Sequence, residues 1–224
     1  VMVYVMGADR WRAEDAWPLT GTQMTDFYLH ASGGLSSSAP STSEGSDAYR
    51  YDPRNPAPSV GGRAGRNDCN MLLTREDVLV YTSEPLTTAL EVTGEISATI
   101  FASSSAADTD WTIRLLDVYP DGRSFHIADG IVRARYRTSR TEPSPLTPGA
   151  VERYEVDMWA TSNVFQPGHR MRVLVSSSNF PTYDRHPNVY ADLRRVTDKD
   201  FVVADQTVHH LSLIHISEPT RQAE

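Results

Sequence analysis

Serine is plentiful in this sequence, but its spacing does not favour nucleophilic catalysis. A hydrolytic serine on a strained strand-to-helix turn has the pattern G-x-S-x-G, which exposes the hydroxyl beside a base and two backbone donors. No such pentapeptide occurs here. The serines form short runs in loops or at strand ends, where hydroxyl groups bond the local backbone. We interpret these runs as structural: Ser36–Ser38, Ser103–Ser105 and Ser176–Ser178.

None of the histidines has a sequence neighbour that suggests an oriented general base. His169 follows a Pro-Gly pair and precedes a strand, so we interpret it as a turn residue. The adjacent pair His209 and His210 has the wrong spacing to share a metal ion on one helix face. The seven histidines are His30, His126, His169, His186, His209, His210 and His215.

A cluster of aspartates and a single cysteine are the remaining candidate ligands. The glycine position that a calcium-binding loop would require is filled by Ile113, so calcium is the weaker interpretation and turn or strand-end acids the favoured one. One cysteine, Cys69, forms neither an intramolecular disulfide nor a thiolate zinc cluster, and we expect a free, partly exposed loop thiol. No metal site and no cofactor is predicted. The aspartates are Asp108, Asp110, Asp117 and Asp121.

Composition limits the range of partners. The 21 Lys+Arg against 29 Asp+Glu give a net charge of −8, which repels a polyanion, so we expect no nucleic acid partner. No apolar run approaches the ~20 residues that cross a bilayer, so no membrane partner is predicted. Five aromatic residues could line a sugar or substrate surface, although such residues in sheets are more often core: Trp111, Trp159, Phe165, Phe180 and Tyr183.

The second half of the chain has the two-residue period of β-strands. Leu90–Ala102 alternates apolar or small residues with Glu, Thr and Ser, which predicts a β-strand with one buried and one solvent-exposed face. Asp110–Val118 and Ser124–Ile131 flank a Pro-Asp-Gly turn and predict a hairpin. A phase shift after Leu115 indicates a bulge in it.

Later segments alternate in the same way, at Tyr154–Met158 and Met171–Val175. Many antiparallel strands, few helices and frequent turn signals predict an all-β fold, specifically a two-sheet jelly-roll β-sandwich. Two stretches rich in Ser, Thr, Pro and Gly, at 35–44 and 52–70, are interpreted as loops.

Both ends differ from this pattern. Val1–Met6 is a continuous apolar run that suits a strand buried on both faces of a parallel sheet, whose neighbours we expect upstream. Asp9–Pro18 suits a short helical turn or an irregular connector. Leu211–Glu224 resembles the translated sequencing-adapter read-through found at the ends of assembled metagenomic reading frames, and we exclude it from the fold. A true terminal strand over Leu213–Ile216 is the alternative.

Several long segments resemble, in order, the C-terminal region of the X-prolyl dipeptidyl-peptidase and cocaine esterase-like serine hydrolases, the CocE/NonD type. Together they span most of residues 1–210, and this makes the resemblance far more specific than one short motif. The segments are VYVMGADRWRAEDAWP (3–18), YTSEPL (81–86), ASSSAADTD (102–110), LLDVYPDGRSFHIADGIVRARYR (115–137) and TSNVFQPGHRMRVLVSSSNFPTYDR (161–185).

The resemblance implies an α/β-hydrolase domain followed by a jelly-roll domain similar to galactose-binding modules. Residues 1–18 would then be the last strand of the upstream domain and a connector, residues 19–210 the sandwich, and 211–224 a non-native tail. All three catalytic triad residues would lie upstream, so none is assigned here. In the cocaine-esterase branch a loop after a Gly-Gly pair touches the acyl pocket, which implies a substrate-pocket role for Arg63 and Ala64, after Gly61 and Gly62. The apolar residues expected there are replaced by RAGRNDC, which leaves substrate preference open.

The favoured function is therefore an accessory domain that supports the catalytic domain and shapes the pocket for a small ester or peptide substrate in the intact protein. The fragment alone is expected to be inactive. A carbohydrate-binding module is the alternative, and an exposed aromatic platform would favour it. A glutaryl or amino-acid-ester amidase of the same family is a third interpretation. The lack of disulfides fits the cytoplasm, while export through an upstream signal peptide stays open.

Overall fold

A computed structural model describes residues 1–41, 45–60 and 67–219 of the chain. Within these ranges the regular structure consists of β-strands and short 3₁₀ turns. The strands are β1 (Met2–Val5), β2 (Arg10–Ala13), β3 (Gln23–His30), β4 (Gly34–Ser36), β5 (Ser46–Tyr51), β6 (Val78–Thr82), β7 (Leu90–Ser104), β8 (Asp110–Val118), β9 (Ser124–Arg133), β10 (Glu152–Phe165), β11 (Arg170–Ser176) and β12 (Ala204–Glu218). The 3₁₀ turns are Ala31–Gly33, Asn70–Thr74, Ala134–Tyr136 and Asp198–Asp200.

Ten of these strands form one sheet in the order β10-β7-β12-β3-β4-β6-β11-β8-β9, with β5 paired to β12. The two end strands of this order approach each other. Gly130 of β9 lies so close to β10 that a Cβ added there would be 2.3 Å from the carbonyl oxygen of Asp157. The sheet therefore curves until it nearly closes, and this closure brings residues distant in the chain to one surface.

The alternating residues of these strands fill the enclosed core, as the two-residue period predicts. Trp111 is fully buried beside Tyr154, with ring centroids 5.7 Å apart, and also contacts Tyr49 edge-on. Met171, Val173 and Val175 of β11 are buried in the same cluster. Burying such side chains is the main stabilising contribution to the fold. The all-β prediction is confirmed, while the narrower jelly-roll and galactose-binding-like description stays a prediction.

The predicted hairpin is confirmed as β8 and β9, but the phase shift predicted within Asp110–Val118 is wrong, because the bulge lies on β9. Leu115 pairs with Ala128 and Leu116 with His126, so Ile127 is an extra residue on β9. Leu116 does not return to the main core. It packs in a second buried cluster with Leu72 and Leu174 on the other face of the sheet.

Two other local sequence predictions are wrong. Asp9–Pro18 contains no helical turn, because Arg10–Ala13 forms β2 and pairs antiparallel with β1. The face of Leu90–Ala102 that was predicted to be solvent-exposed is partly covered, since Glu91, Thr93 and Thr99 are buried. Glu91 receives two hydrogen bonds from Arg12, at 2.6 and 2.8 Å, which fasten the hairpin of β1 and β2 to β7.

Each end of the chain has a definite structure in the described residues. Val1 and Met2 of the first hairpin are exposed, and burial of this segment in an upstream parallel sheet stays a prediction. Residues 211–218 continue β12, where Ile214 and Ile216 are buried and pair with Phe27 and Thr25 of β3. The structure therefore has a strand over the alternative segment Leu213–Ile216, while a non-native origin of the tail stays a prediction.

Candidate functional site

A pocket of about 730 Å³ lies beside the closure of the sheet. Strands β8, β9 and β10 supply its floor, and the segments after β5 and β11 supply its rim. The pocket combines apolar and polar groups, as small-molecule and interface pockets commonly do. It is lined by Met6, Ser59, Val60, Cys69, Arg114, His126, Ile127, Asp129, Trp159, Asn163, Asn179, Thr182 and Tyr183.

The β-bulge places an acid–base pair in this pocket. In a regular strand two residues three apart point to opposite faces, but the extra Ile127 puts His126 and Asp129 on the same side. His126 Nε2 lies 3.0 Å from Asp129 Oδ1, and Asn179 Nδ2 donates to Asp129 Oδ2 at 3.1 Å. Burial raises the pKa of Asp129, but the His126 hydrogen bond, with help from Tyr183 and the Arg114 charge, outweighs it and leaves the pKa below its ordinary value.

Arg114 lies deeper in the same wall and is almost completely buried. Its guanidinium donates to the carbonyl oxygens of Pro58 and Ser178, both at 3.2 Å. Burial lowers the pKa of Arg114 to about 10, partly offset by the negative charge of Asp129. The arginine therefore fastens the segments after β5 and β11 to the sheet at the point where they form the pocket rim.

Asn163 is buried in the pocket wall with neither side-chain amide atom hydrogen-bonded to a described residue. An unsatisfied buried amide costs about 1–3 kcal/mol. We therefore expect Asn163→Leu, similar in size, to raise the free energy of unfolding by about 1–2 kcal/mol, measured by urea denaturation with circular dichroism.

Asn179→Leu is the matched control, because the Asn179 amide is bonded to Asp129 and Ser59. This control should destabilise the protein. A loss of stability in Asn163→Leu as well would contradict the prediction and indicate that ordered water satisfies the Asn163 amide.

Trp159 is the most exposed aromatic residue at this site, with 72% of its surface accessible. Between β7 and β10, two residues, Met158 and Trp159, lie opposite Ile96, and this bulge turns Met158 into the core and Trp159 outward. The Trp159 backbone has φ of 65°, and its N–H donates to Asp157 Oδ1 at 2.8 Å. A bulky residue in the left-handed region is strained, so the fold holds this tryptophan outward at a cost.

A second pocket of about 640 Å³ lies on the other side of Trp159. Trp159 and Tyr183 line both pockets. The second one also has a cationic rim from Arg133, Arg137 and Arg140. The two pockets thus form one continuous surface with aromatic side chains at its centre.

The residues predicted to shape the substrate pocket, Arg63 and Ala64 after Gly61 and Gly62, lie outside the described residues. Ser59 and Val60 precede them and line the first pocket, as does Cys69 on the far side of the same segment. Cys69 is buried, which corrects the expectation of a partly exposed thiol, and burial raises its pKa. Of the aromatic candidates, Trp111 and Phe165 are core residues, while Phe180 is exposed.

The clustered aspartates contact arginine and histidine side chains. Asp108 contacts both Arg135 and His186, Asp110 binds Arg133, Asp117 lies 2.8 Å from His169 Nδ1, and Asp121 pairs with Arg123. Among the described residues no group of three potential ligands surrounds a metal position. Sequence spacing did not indicate these pairs, because His169 and His186 are 52 and 78 positions from their aspartates.

Two hydroxyl–imidazole contacts resemble parts of a catalytic triad but have the wrong hydrogen bonding. His30 Nε2 is 2.9 Å from Ser36 Oγ, and also 3.0 Å from the carbonyl oxygen of Ser38, which requires its proton. His215 lies 2.6 Å from Asp26 and 3.3 Å from Thr99 Oγ1. The buried Thr99 hydroxyl donates to Glu155 at 3.0 Å. In neither contact is the imidazole free to remove the hydroxyl proton.

These features define a β-domain with a large aromatic-centred surface. Its residues 1–212 match the model of the X-Pro dipeptidyl-peptidase C-terminal non-catalytic domain, and the chain belongs to this family. It is 45% identical to a cocaine esterase from Rhodococcus sp. (strain MB1 Bresler), over 93% of this chain and 39% of that protein. The resemblance to the cocaine esterase-like serine hydrolases is thereby confirmed.

Solved structures of related hydrolases have the same fold as this chain. An aminopeptidase from a marine sediment Thaumarchaeota archaeon superimposes with a TM-score of 0.90 at 31% identity, over 98% of this chain and 40% of that chain. An α-amino acid ester hydrolase gives a TM-score of 0.90 at 32% identity, over 99% and 41% respectively. The chain thus spans about 40% of the length of these relatives. None of the helices in the described residues is long and apolar enough to cross a membrane.

Proposed function

We propose that this chain is the C-terminal accessory domain of a serine acyl-hydrolase, an esterase or X-Pro dipeptidyl-peptidase, and is inactive alone. It supports an upstream α/β-hydrolase domain and shapes the pocket for a small ester or peptide substrate. The reaction of the intact protein is acyl transfer to water through a serine ester, with hydrogen-bond donors stabilising the oxyanion.

The observation that carries this proposal is the position of the first pocket. Ser59 and Val60 line it immediately before Gly61–Ala64, the segment assigned to the substrate pocket by the family resemblance. Arg114 fastens the start of this segment through its hydrogen bond to Pro58. A loop that starts from a rigid anchor presents its side chains to a substrate with less loss of conformational entropy.

A carbohydrate-binding module is the second candidate function, and the exposed Trp159 favours it. Tryptophan faces commonly stack on apolar faces of ligands, and hydrogen-bonding groups surround this one in the second pocket. The buried Trp111 supports the sheet and takes no part in such a platform.

The test is hydrolysis of p-nitrophenyl acetate and of a glycyl-prolyl chromogenic substrate. The chain alone is compared with a hybrid in which it replaces the matching C-terminal part of the Rhodococcus cocaine esterase. We expect turnover only in the hybrid and none in the isolated chain, and a serine-directed inhibitor should abolish the turnover of the hybrid. The ratio of the two rates then indicates which substrate class the chain's own loop favours.

Ser36→Ala in the isolated chain is the control for a nucleophile within it, since Ser36 contacts a histidine. Inhibitor-sensitive turnover by the isolated chain, removed by this substitution, would overturn the claim that the domain is inactive alone. An inactive but folded hybrid would contradict the accessory role.

A further inference from the structure

We infer that the surface centred on Trp159 is the docking site for the catalytic domain that precedes Val1, and that Trp159 is its central anchor. The inference rests on the proposed function and names the contact through which that function operates. We call this the Trp159 surface, and its apolar residues include Met6, Val60, Ile127, Tyr136, Trp159 and Tyr183.

The conformation of Trp159 itself supports a role in docking. A tryptophan exposes a large apolar area, and here it does so from a left-handed backbone that favours glycine. The bulge and the Asp157 hydrogen bond keep it in this position. Strain that is held in place by surrounding structure is commonly found where a ligand or partner binds.

The composition of the surface also supports docking of a protein partner. The aromatic side chains Trp159 and Tyr183 line both pockets, while polar residues such as Arg140, Glu155 and His126 line one pocket each. Protein interfaces have the same arrangement, with aromatic anchors at a desolvated centre and a polar rim. The two concavities on either side would receive side chains of the partner.

The path of the chain before Met6 identifies the domain that occupies this surface. Met6 lines the first pocket and is fixed to β10, because its N–H donates to Ser162 and its carbonyl accepts from Val164. Val1 is five residues before Met6, a reach of roughly 17 Å in an extended chain. A domain joined to Val1 therefore begins within that distance of Met6 and of this surface.

The hairpin of β1 and β2 extends the same surface towards that domain. Met2, Tyr4 and Trp11 are exposed on it, with the Tyr4 and Trp11 rings 5.4 Å apart. Arg12 fastens the hairpin to Glu91, so its orientation relative to β7 is fixed. A catalytic domain that packs on this hairpin would continue over Met6 onto Trp159.

The test is hydroxyl-radical footprinting with mass spectrometry of the isolated chain and of the hybrid with the cocaine esterase catalytic part. We expect Trp159 to be oxidised rapidly in the isolated chain and about tenfold more slowly in the hybrid, as for a residue at an interface centre. Tyr190, 40% exposed and outside the Trp159 surface, is the internal control and should react equally in both.

Trp159→Gly provides a second measurement, because glycine accepts the left-handed backbone. When the chain and a separately produced catalytic part are mixed, this variant should weaken their association by about thirtyfold, the effect of a central aromatic anchor. The isolated variant should keep the thermal stability of the parent chain, which separates loss of docking from loss of folding.

The possible outcomes separate this inference from the proposed function. An active hybrid with unprotected Trp159 overturns the docking site alone, whereas protection in a folded but inactive hybrid supports docking and overturns the accessory function. Protection of Trp159 in the isolated chain by added sugars, or by concentration-dependent self-association, overturns the inference in favour of a carbohydrate or a second copy.

Discussion

Asp108→Asn should lower the free energy of unfolding by about 3–5 kcal/mol, the usual effect of removing one partner from a buried ion pair. Asp108 is fully buried and contacts Arg135 Nε and, at 3.1 Å, His186 Nε2. Its Oδ1 also accepts the Arg135 backbone N–H at 2.9 Å. The substitution leaves the guanidinium in a buried site without its counter-charge. Urea denaturation followed by fluorescence measures the loss.

The loss should extend to the segment after β11, because Arg135 also donates to the carbonyl oxygens of Ala191 and Val189. Asp121→Asn is the matched control. Asp121 forms an exposed pair with Arg123, and solvent screening leaves such pairs little effect on stability. Equal effects of the two substitutions would contradict the role assigned to Asp108.

The free energy of unfolding should also depend on pH through the Asp108 carboxylate. Burial raises the pKa of Asp108, but the hydrogen bonds and charges of His186 and Arg135 outweigh it, and the pKa falls below the ordinary 3.8. The folded protein therefore binds this proton less tightly than the unfolded chain does. The stabilisation is present above pH 3.8 and is lost as the pH falls through the folded-state pKa. When the free energy of unfolding is measured against pH, Asp108→Asn should lose less stability in acid than the parent chain does. An equal loss in both would indicate that the acid dependence comes from Glu91 and Asp129 instead, whose pKa values are also lowered.

Ile216→Ala should lower the free energy of unfolding by about 2–4 kcal/mol, as for other buried isoleucines. Ile216 has no exposed surface and packs in the main core with Ile214. The substitution leaves a cavity beside β3, to which this part of β12 is paired. The measurement is chemical denaturation of the 224-residue chain.

Leu211→Ala is the matched control, since 54% of Leu211 is exposed and its truncation should have little effect. The comparison also tests the sequence interpretation of residues 211–224 as a tail outside the fold. If Ile216→Ala is as harmless as Leu211→Ala, β12 contributes no stability beyond residue 210, and the interpretation as a tail gains support.

The strands could be predicted because their evidence is local. Tyr154, Val156 and Met158 alternate in the sequence and are buried in the structure, since successive side chains of a strand face opposite ways. β8 was less predictable. All nine of its residues are buried, because its second face is covered by the cluster around Leu72 and Leu174.

The site could not be predicted because closure of the sheet assembles it. Met6, Arg114, Trp159 and Tyr183 meet in one pocket although they are far apart in the chain. The phase shift predicted after Leu115 placed a bulge on the wrong strand of the hairpin, because the extra residue that brings His126 and Asp129 to one side is Ile127 of β9. Neither the composition of the sequence nor the alternation of its residues indicates the left-handed backbone conformation of Trp159.

The position of β12 in the sheet determines when folding can finish. Ile216 of this strand pairs with Thr25 of β3, and Ile214 pairs with both Phe27 and Ala98. During synthesis, β3 and β7 emerge from the ribosome long before the strand that lies between them. Contacts of such large sequence separation slow folding, and the open edges of β3 and β7 expose the nascent chain to aggregation until β12 arrives. Completion of the sheet therefore waits until β12 has left the ribosome.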